Sequence, residues 1–168
     1  MRRLLFWAIP LLAAVVVAQT TESSKIALQA KDGSISLHAS NATVHGSTIR
    51  YEPQPHKNTI GYWTKQQDWV SWDFRLNRPG TFMVELTQSC GKGSGGSKYE
   101  LSVGEQNLTD VMPETGSFTN WTNRVIGTIK LEQVGQHTLA VKPIYKPGLA
   151  VMDLRAVVLR PTDGVSSK

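Results

Sequence analysis

The side chains of this sequence best placed to do chemistry are aromatic. Tyr62 and Trp63 stand beside the turn residues Asn58 and Gly61, and Trp121 lies between Asn120 and Thr122, three residues after Phe118. A flat aromatic face stacks on the C–H face of a sugar ring while neighbouring amides and ammonium groups reach its hydroxyls, so aromatics in polar loops suit carbohydrate binding. That chemistry gives Tyr62, Trp63, Phe118 and Trp121 as the stacking set, with Asn58, Asn120 and Lys146 reaching hydroxyls. Trp72 has a different use: it shares one face of an alternating run with Val70, Phe74 and Leu76 and belongs to the core. Trp69 falls on the opposite face, with Ser71, Asp73 and Arg75.

Other chemistries find little support. Gly91-Lys92 is followed by Gly93 and then by a strand pattern, whereas a phosphate-binding loop needs Ser or Thr next and a helix after it. His38, His45, His56 and His137 are not at metal-ligand spacing, and no H-E-x-x-H or G-x-S-x-G motif occurs. Pairs among Glu52, Asp68, Asp73, Glu85, Asp110, Glu114 and Asp153 are available for glycoside hydrolysis, but one small sandwich offers little material for a deep cleft. The expectation is a protein without catalysis, cofactor or metal.

The elements that must position these residues are strands. Between residues 26 and 161 apolar and polar residues alternate with period two, broken by turn residues such as Pro79-Gly80. One strand carries Val70 to Leu76, the next Phe82, Val84 and Leu86. A glycine-rich loop over 91–97 leads into Tyr99, Leu101 and Val103, and further strands follow at Val125–Leu131, His137–Pro143 and Leu149–Leu159. Eight to ten short strands with no helix-period segment between them predict an all-β fold, two antiparallel sheets packed face to face as in a jelly roll. A lipocalin-like closed barrel is the second architecture.

The first 18 residues, MRRLLFWAIPLLAAVVVA, join two arginines to an apolar run and end in small residues ahead of Gln19. This is the grammar of a cleaved secretory signal peptide, and the run is shorter than the ~20 residues of a membrane span. The expected organisation is therefore a signal peptide at 1–18, a polar segment at 19–25, one domain at 26–161 and a polar tail at 162–168. The protein is expected to be secreted or periplasmic, without membrane attachment after cleavage. A chain of 168 residues with 40% hydrophobic and 18% charged residues supplies one core. Cys90 is the only cysteine, so no internal disulfide braces it, and it reads as a small buried or loop thiol, with an intermolecular bridge or a reactive thiol as the functional alternatives. The net charge of +5, with Arg2 and Arg3 in the segment to be removed, is too small to point to nucleic acid. Sequons stand at Asn41, Asn107 and Asn120.

Several segments occur in a familiar order: N58-T-I-G-Y-W63, Q67-D-W-V-S-W-D-F74, P79-G-T-F-M-V-E-L86, E114-T-G-S-F-T-N-W-T122, G127-T-I-K-L131, G135-Q-H-T-L-A-V141 and V151-M-D-L154. The stretch from about Ile26 to Pro161 resembles the galactose-binding-like jelly rolls of family 6 and family 35 carbohydrate-binding modules, and the accessory domains of secreted fucosidases and sulfatases. The resemblance implies sugar contacts from Tyr62, Phe118 and Trp121 in loops at one end of the sandwich. It also implies a polysaccharide or glycan as ligand and an exported glycosidase or sulfatase as a possible partner. Two positions depart from the pattern. Val151-Met152 precedes Asp153 where an Asn is common, and Ala30-Lys31 and Ala39-Ser40 replace the Ala-Glu pair whose acid holds a structural calcium. A second reading follows from these departures: a structural or interaction partner of an exported hydrolase or sulfatase that has lost its sugar site.

Overall fold

The structure, a computed structural model, describes residues 25–162. The expected signal peptide, and the polar ends apart from Lys25 and Thr162, lie outside the described residues. Twelve strands run in chain order: β1 Ala27–Leu28, β2 Ile35–His38, β3 Thr43–His45, β4 Arg50–Glu52, β5 Thr59–Gly61, β6 Trp69–Leu76, β7 Gly80–Cys90, β8 Lys98–Val103, β9 Gln106–Val111, β10 Ser117–Leu131, β11 Gly135–Tyr145 and β12 Asp153–Pro161. A 3-10 turn, Ala39–Asn41, joins β2 to β3. Among the described residues no helix is long and apolar enough to cross a membrane.

The strands form two six-stranded sheets packed as a sandwich. One has the order β1-β6-β11-β8-β9 with β3 also on β6, and the other the order β10-β7-β12-β5-β4 with β2 also on β12. Pairing is antiparallel except for the short parallel contact of β1 with β6. Sequence alternation dictates the packing: Val70, Trp72, Phe74 and Leu76 of β6 face Phe82, Val84 and Leu86 of β7 across a dry interior, all at 1% exposure or less. The Trp72 indole N–H donates to the His38 carbonyl at 2.8 Å, which satisfies its one polar group in the core.

Two boundaries differ from the alternation pattern. The last strand begins at Asp153, and residues 149–152 form the end of a loop instead. Val151 and Met152 are nonetheless fully buried, so apolar character there reports burial and not strand. In the other direction, β10 starts at Ser117, eight residues before the apolar alternation becomes visible. Its early part is irregular: Ser117 is opposite Cys90 and Thr122 opposite Gln88, so residues 118–121 all face the single residue Ser89. That excursion is a large, irregular bulge, and it turns Phe118 out of the ladder.

Candidate functional site

At one end of the sandwich the loops enclose a cleft of about 290 Å³ lined by Glu52, Lys57, Tyr62, Thr64, Phe118, Ala150 and Asp153. Its aromatic walls come from two local irregularities. Tyr62 follows β5 with a positive φ of 52°, a left-handed conformation that projects its ring half-exposed from the strand end. The Arg50 guanidinium lies over that ring, 3.4 Å from its centroid. The bulge of β10 lays the Phe118 ring on Gly91, where an added Cβ would come within 2.4 Å of the ring, so only glycine allows the contact.

The floor is polar. Lys57 forms a short ion pair with Asp153, lies 3.6 Å from Glu52 and donates to the Phe118 carbonyl at 3.4 Å. Its ammonium also sits 5.8 Å from the Phe118 ring. One lysine thus ties both carboxylates to one aromatic wall. Gly61 makes room for them: a Cβ there would lie 2.0 Å from Glu52 Oε1 and 3.1 Å from Asp153 Oδ1. Burial pushes the Asp153 carboxyl up to about 6, with the nearby Glu52 adding to the rise and Lys57 opposing it.

The expected ligand residues divide. Tyr62 and Phe118 meet at the cleft. Trp63 is the clear correction: it is fully buried, and its indole N–H donates to the Asp68 carbonyl at 2.7 Å. It fails as a stacking residue because the backbone reverses at Tyr62, sending alternate rings to opposite sides of the loop. Asp68 in turn holds residues 47–49. Burial alone would raise its pKa, but hydrogen bonds from Thr48, Ile49 and Ser47 outweigh that and hold the carboxyl below its ordinary value.

Trp121 does not line the cleft either. Its ring is half-buried beneath the Arg155 guanidinium, 3.9 Å from the ring centroid, and Arg155 donates to the carbonyls of Lys57 and His56 at 2.9 and 2.8 Å. Asn58 accepts from the Tyr51 hydroxyl at 2.7 Å and Asn120 donates to the Thr115 carbonyl at 2.6 Å. Lys146 caps the carbonyls of Gly148 and Leu149 at 2.6 and 3.3 Å. These three polar groups fasten loops and stand outside the lining. Trp69, on the face of the strand opposite the core residues, stacks on His45 with centroids 3.6 Å apart, and Lys142 lies 4.5 Å from its ring.

Sequence reasoning missed Lys57 and Thr64, and named Glu52 and Asp153 only among the carboxylates that could pair for hydrolysis, not as parts of one sugar site. No local motif marks them, because they come from separate loops and strands. The calcium expected of similar modules does not fit this chain. The carbonyls of Ala30 and Lys31 accept the Arg78 guanidinium at 3.2 and 2.7 Å, and Ala39-Ser40 opens the 3-10 turn. Among the described residues no three His, Cys, Asp or Glu side chains gather to hold a metal.

Comparison with solved structures agrees with the sandwich. The fold is similar to the C-terminal family 6 carbohydrate-binding module of LamC, a marine laminarinase from Zobellia galactanivorans, with 16% identity, a TM-score of 0.60, and 76% of this chain and 98% of that one covered. It is similar also to a family 35 carbohydrate-binding module from Clostridium thermocellum, with 13% identity, a TM-score of 0.62, and coverage of 75% and 96%. An exo-β-1,3-galactanase from Phanerochaete chrysosporium shares 17% identity at a TM-score of 0.58 over 75% of this chain, which spans 29% of that enzyme. At such identities the likeness is one of fold. None of the curated proteins matches the sequence. A family model does match residues 37–163, and on that match the chain belongs to the family described as a domain of unknown function, DUF5077.

Proposed function

We propose that this protein is an exported, non-catalytic carbohydrate-binding module that takes a sugar ring between Tyr62 and Phe118. The observation that carries the reading is the pairing of two aromatic walls with a floor of converging charged groups, Glu52, Lys57 and Asp153. The walls offer faces for the C–H side of a pyranose and the floor offers charged partners for its hydroxyls, the combination a sugar site needs. Similar solved structures that are themselves named as carbohydrate-binding modules support the same reading.

Water competes for every hydroxyl, so a site of this size supports affinities of about millimolar to micromolar. Isothermal titration against laminari-, xylo-, manno- and galacto-oligosaccharides tests the proposal. At least one series should bind the wild type, and Tyr62→Ala or Phe118→Ala should weaken it at least tenfold, while Trp121→Ala should leave it within about threefold. Binding by the wild type that neither cleft variant alters would place the sugar elsewhere. No binding to any glycan would favour the reading as a structural partner of an exported hydrolase or sulfatase.

A further inference from the structure

The charges on the cleft floor do not balance. Glu52 and Asp153 bring two carboxylates and Lys57 one ammonium, with side chains 13%, 5% and 16% exposed. Among the described residues Lys57 is the one cation paired with either carboxylate. Arg50 and Arg155 lie instead on the rings of Tyr62 and Trp121, and Arg155 spends its guanidinium on the carbonyls of Lys57 and His56. A buried charge without a full counter-charge is costly. The Asp153 carboxyl registers that cost, since burial and the nearby Glu52 push it up to about 6 although Lys57 opposes them.

The floor also accepts hydrogen bonds without offering any. The three N–H groups of Lys57 face three acceptors of the protein: Asp153 Oδ2, the Phe118 carbonyl at 3.4 Å and Glu52 Oε1 at 3.6 Å. The Thr64 hydroxyl donates to Thr48 at 2.9 Å, so its proton is spent as well. Asp153 Oδ1 and Glu52 Oε2 are left without a donor, on two residues that line the cleft. A ligand group that reaches this floor must therefore donate. A ligand carboxylate or sulfate would meet two like charges there.

We infer that the cleft selects an amino sugar, whose ammonium sits on the floor between the Tyr62 and Phe118 rings as the second counter-charge to Glu52 and Asp153. An ammonium supplies what the floor lacks, one positive charge and three donors, and aromatic faces attract a cation. A divalent metal would find only two carboxylates here, both already paired with Lys57. The inference rests on the carbohydrate reading of the cleft and adds the class of sugar: amino sugars ahead of neutral ones, and neutral ones ahead of uronic acids.

Isothermal titration at pH 7 and low salt, with saturation-transfer NMR for the weakest ligands, tests it. Glucosamine, galactosamine and mannosamine are compared with their N-acetyl forms, their neutral parents and the matching uronic acids. In the configuration that binds, the amine should bind the wild type at least tenfold more tightly than its parent. The N-acetyl form should bind no more tightly than the parent, and the uronic acid at least tenfold more weakly. Glu52→Gln and Asp153→Asn should each narrow the amine's advantage to less than threefold, and Tyr62→Ala should weaken amine and parent alike. An amine no tighter than its parent, a uronic acid equal to the parent, or an advantage that survives both carboxylate variants overturns the inference and leaves the cleft reading intact. If no form of any sugar binds, both fall.

Discussion

The chemistry of the cleft turns on Asp153. Its side chain is 5% exposed and pushed up to about 6 mainly by burial, above the ordinary carboxylate value. A carboxyl whose folded pKa exceeds its unfolded value contributes stability that is fully present below the unfolded pKa and is lost as pH rises through the folded one. Raising the pH from 4 to 7 should therefore cost on the order of 2–3 kcal/mol at this group. Denaturant unfolding at pH 4 and pH 7 should show this as a difference: between the two pH values the wild type should fare worse than Asp153→Asn by about that amount, because carboxyls such as Asp68 contribute the opposite slope to both. An unchanged slope in the variant would show that Asp153 ionises in the fold as it does in water. At the same scale, Lys57 is the least expected finding. It lies in a loop with no motif, yet it holds two carboxylates and an aromatic wall together.

At the scale of elements, two tryptophans in similar local sequence take different roles. Trp63, in the β5–β6 loop, is an internal pillar, and Trp63→Ala should cost roughly 3–5 kcal/mol because it opens a cavity and strands the Asp68 carbonyl. Trp121 lies on the bulged start of β10 with Arg155 over it, and Trp121→Ala should cost only about 1 kcal/mol, the scale of an exposed cation–π contact with some lost packing. Chemical denaturation of the two variants checks this, and equal losses would mean that Trp121 is as much a part of the core as Trp63. The bulge itself escaped sequence reading. Residues 117–124 are polar apart from Phe118 and Trp121 and carry no clear alternation, because four of them face a single partner residue.

For the whole molecule, the absence of a disulfide leaves one packed interior to hold the sandwich. Cys90 reports on it. The thiol is fully buried at the end of β7, and burial, with Glu114 and Asp153 nearby, pushes its pKa up to about 11. A thiol reagent at pH 8 should react with Cys90 at a rate that follows global unfolding, and labelling should accelerate with denaturant in step with loss of the fold. Fast labelling of the native protein at zero denaturant would show that the loop end of the sandwich opens locally.

The sequence by itself determined the class of this protein. Period-two alternation in Val70–Leu76, Phe82–Leu86 and Tyr99–Val103 fixes which face of each strand is apolar, and burying those faces leaves two packed sheets as the economical arrangement. It also named Tyr62 and Phe118, the two of its four aromatic candidates that line the cleft, the first from its place beside Gly61 and the second together with the family resemblance. Tertiary structure alone decided which rings reach solvent and which charges meet. Trp63 and Tyr62 are adjacent in sequence, and a single positive φ sends one to the cleft and the other to the core. Glu52, Lys57 and Asp153 come from a strand, a loop and a strand up to 101 positions apart, and the convergence needs the bare Cα of Gly61 beneath it. Local pattern encodes burial because burial repeats with the strand. A site built from the ends of separate strands has no such period, and only the closed sandwich brings it together.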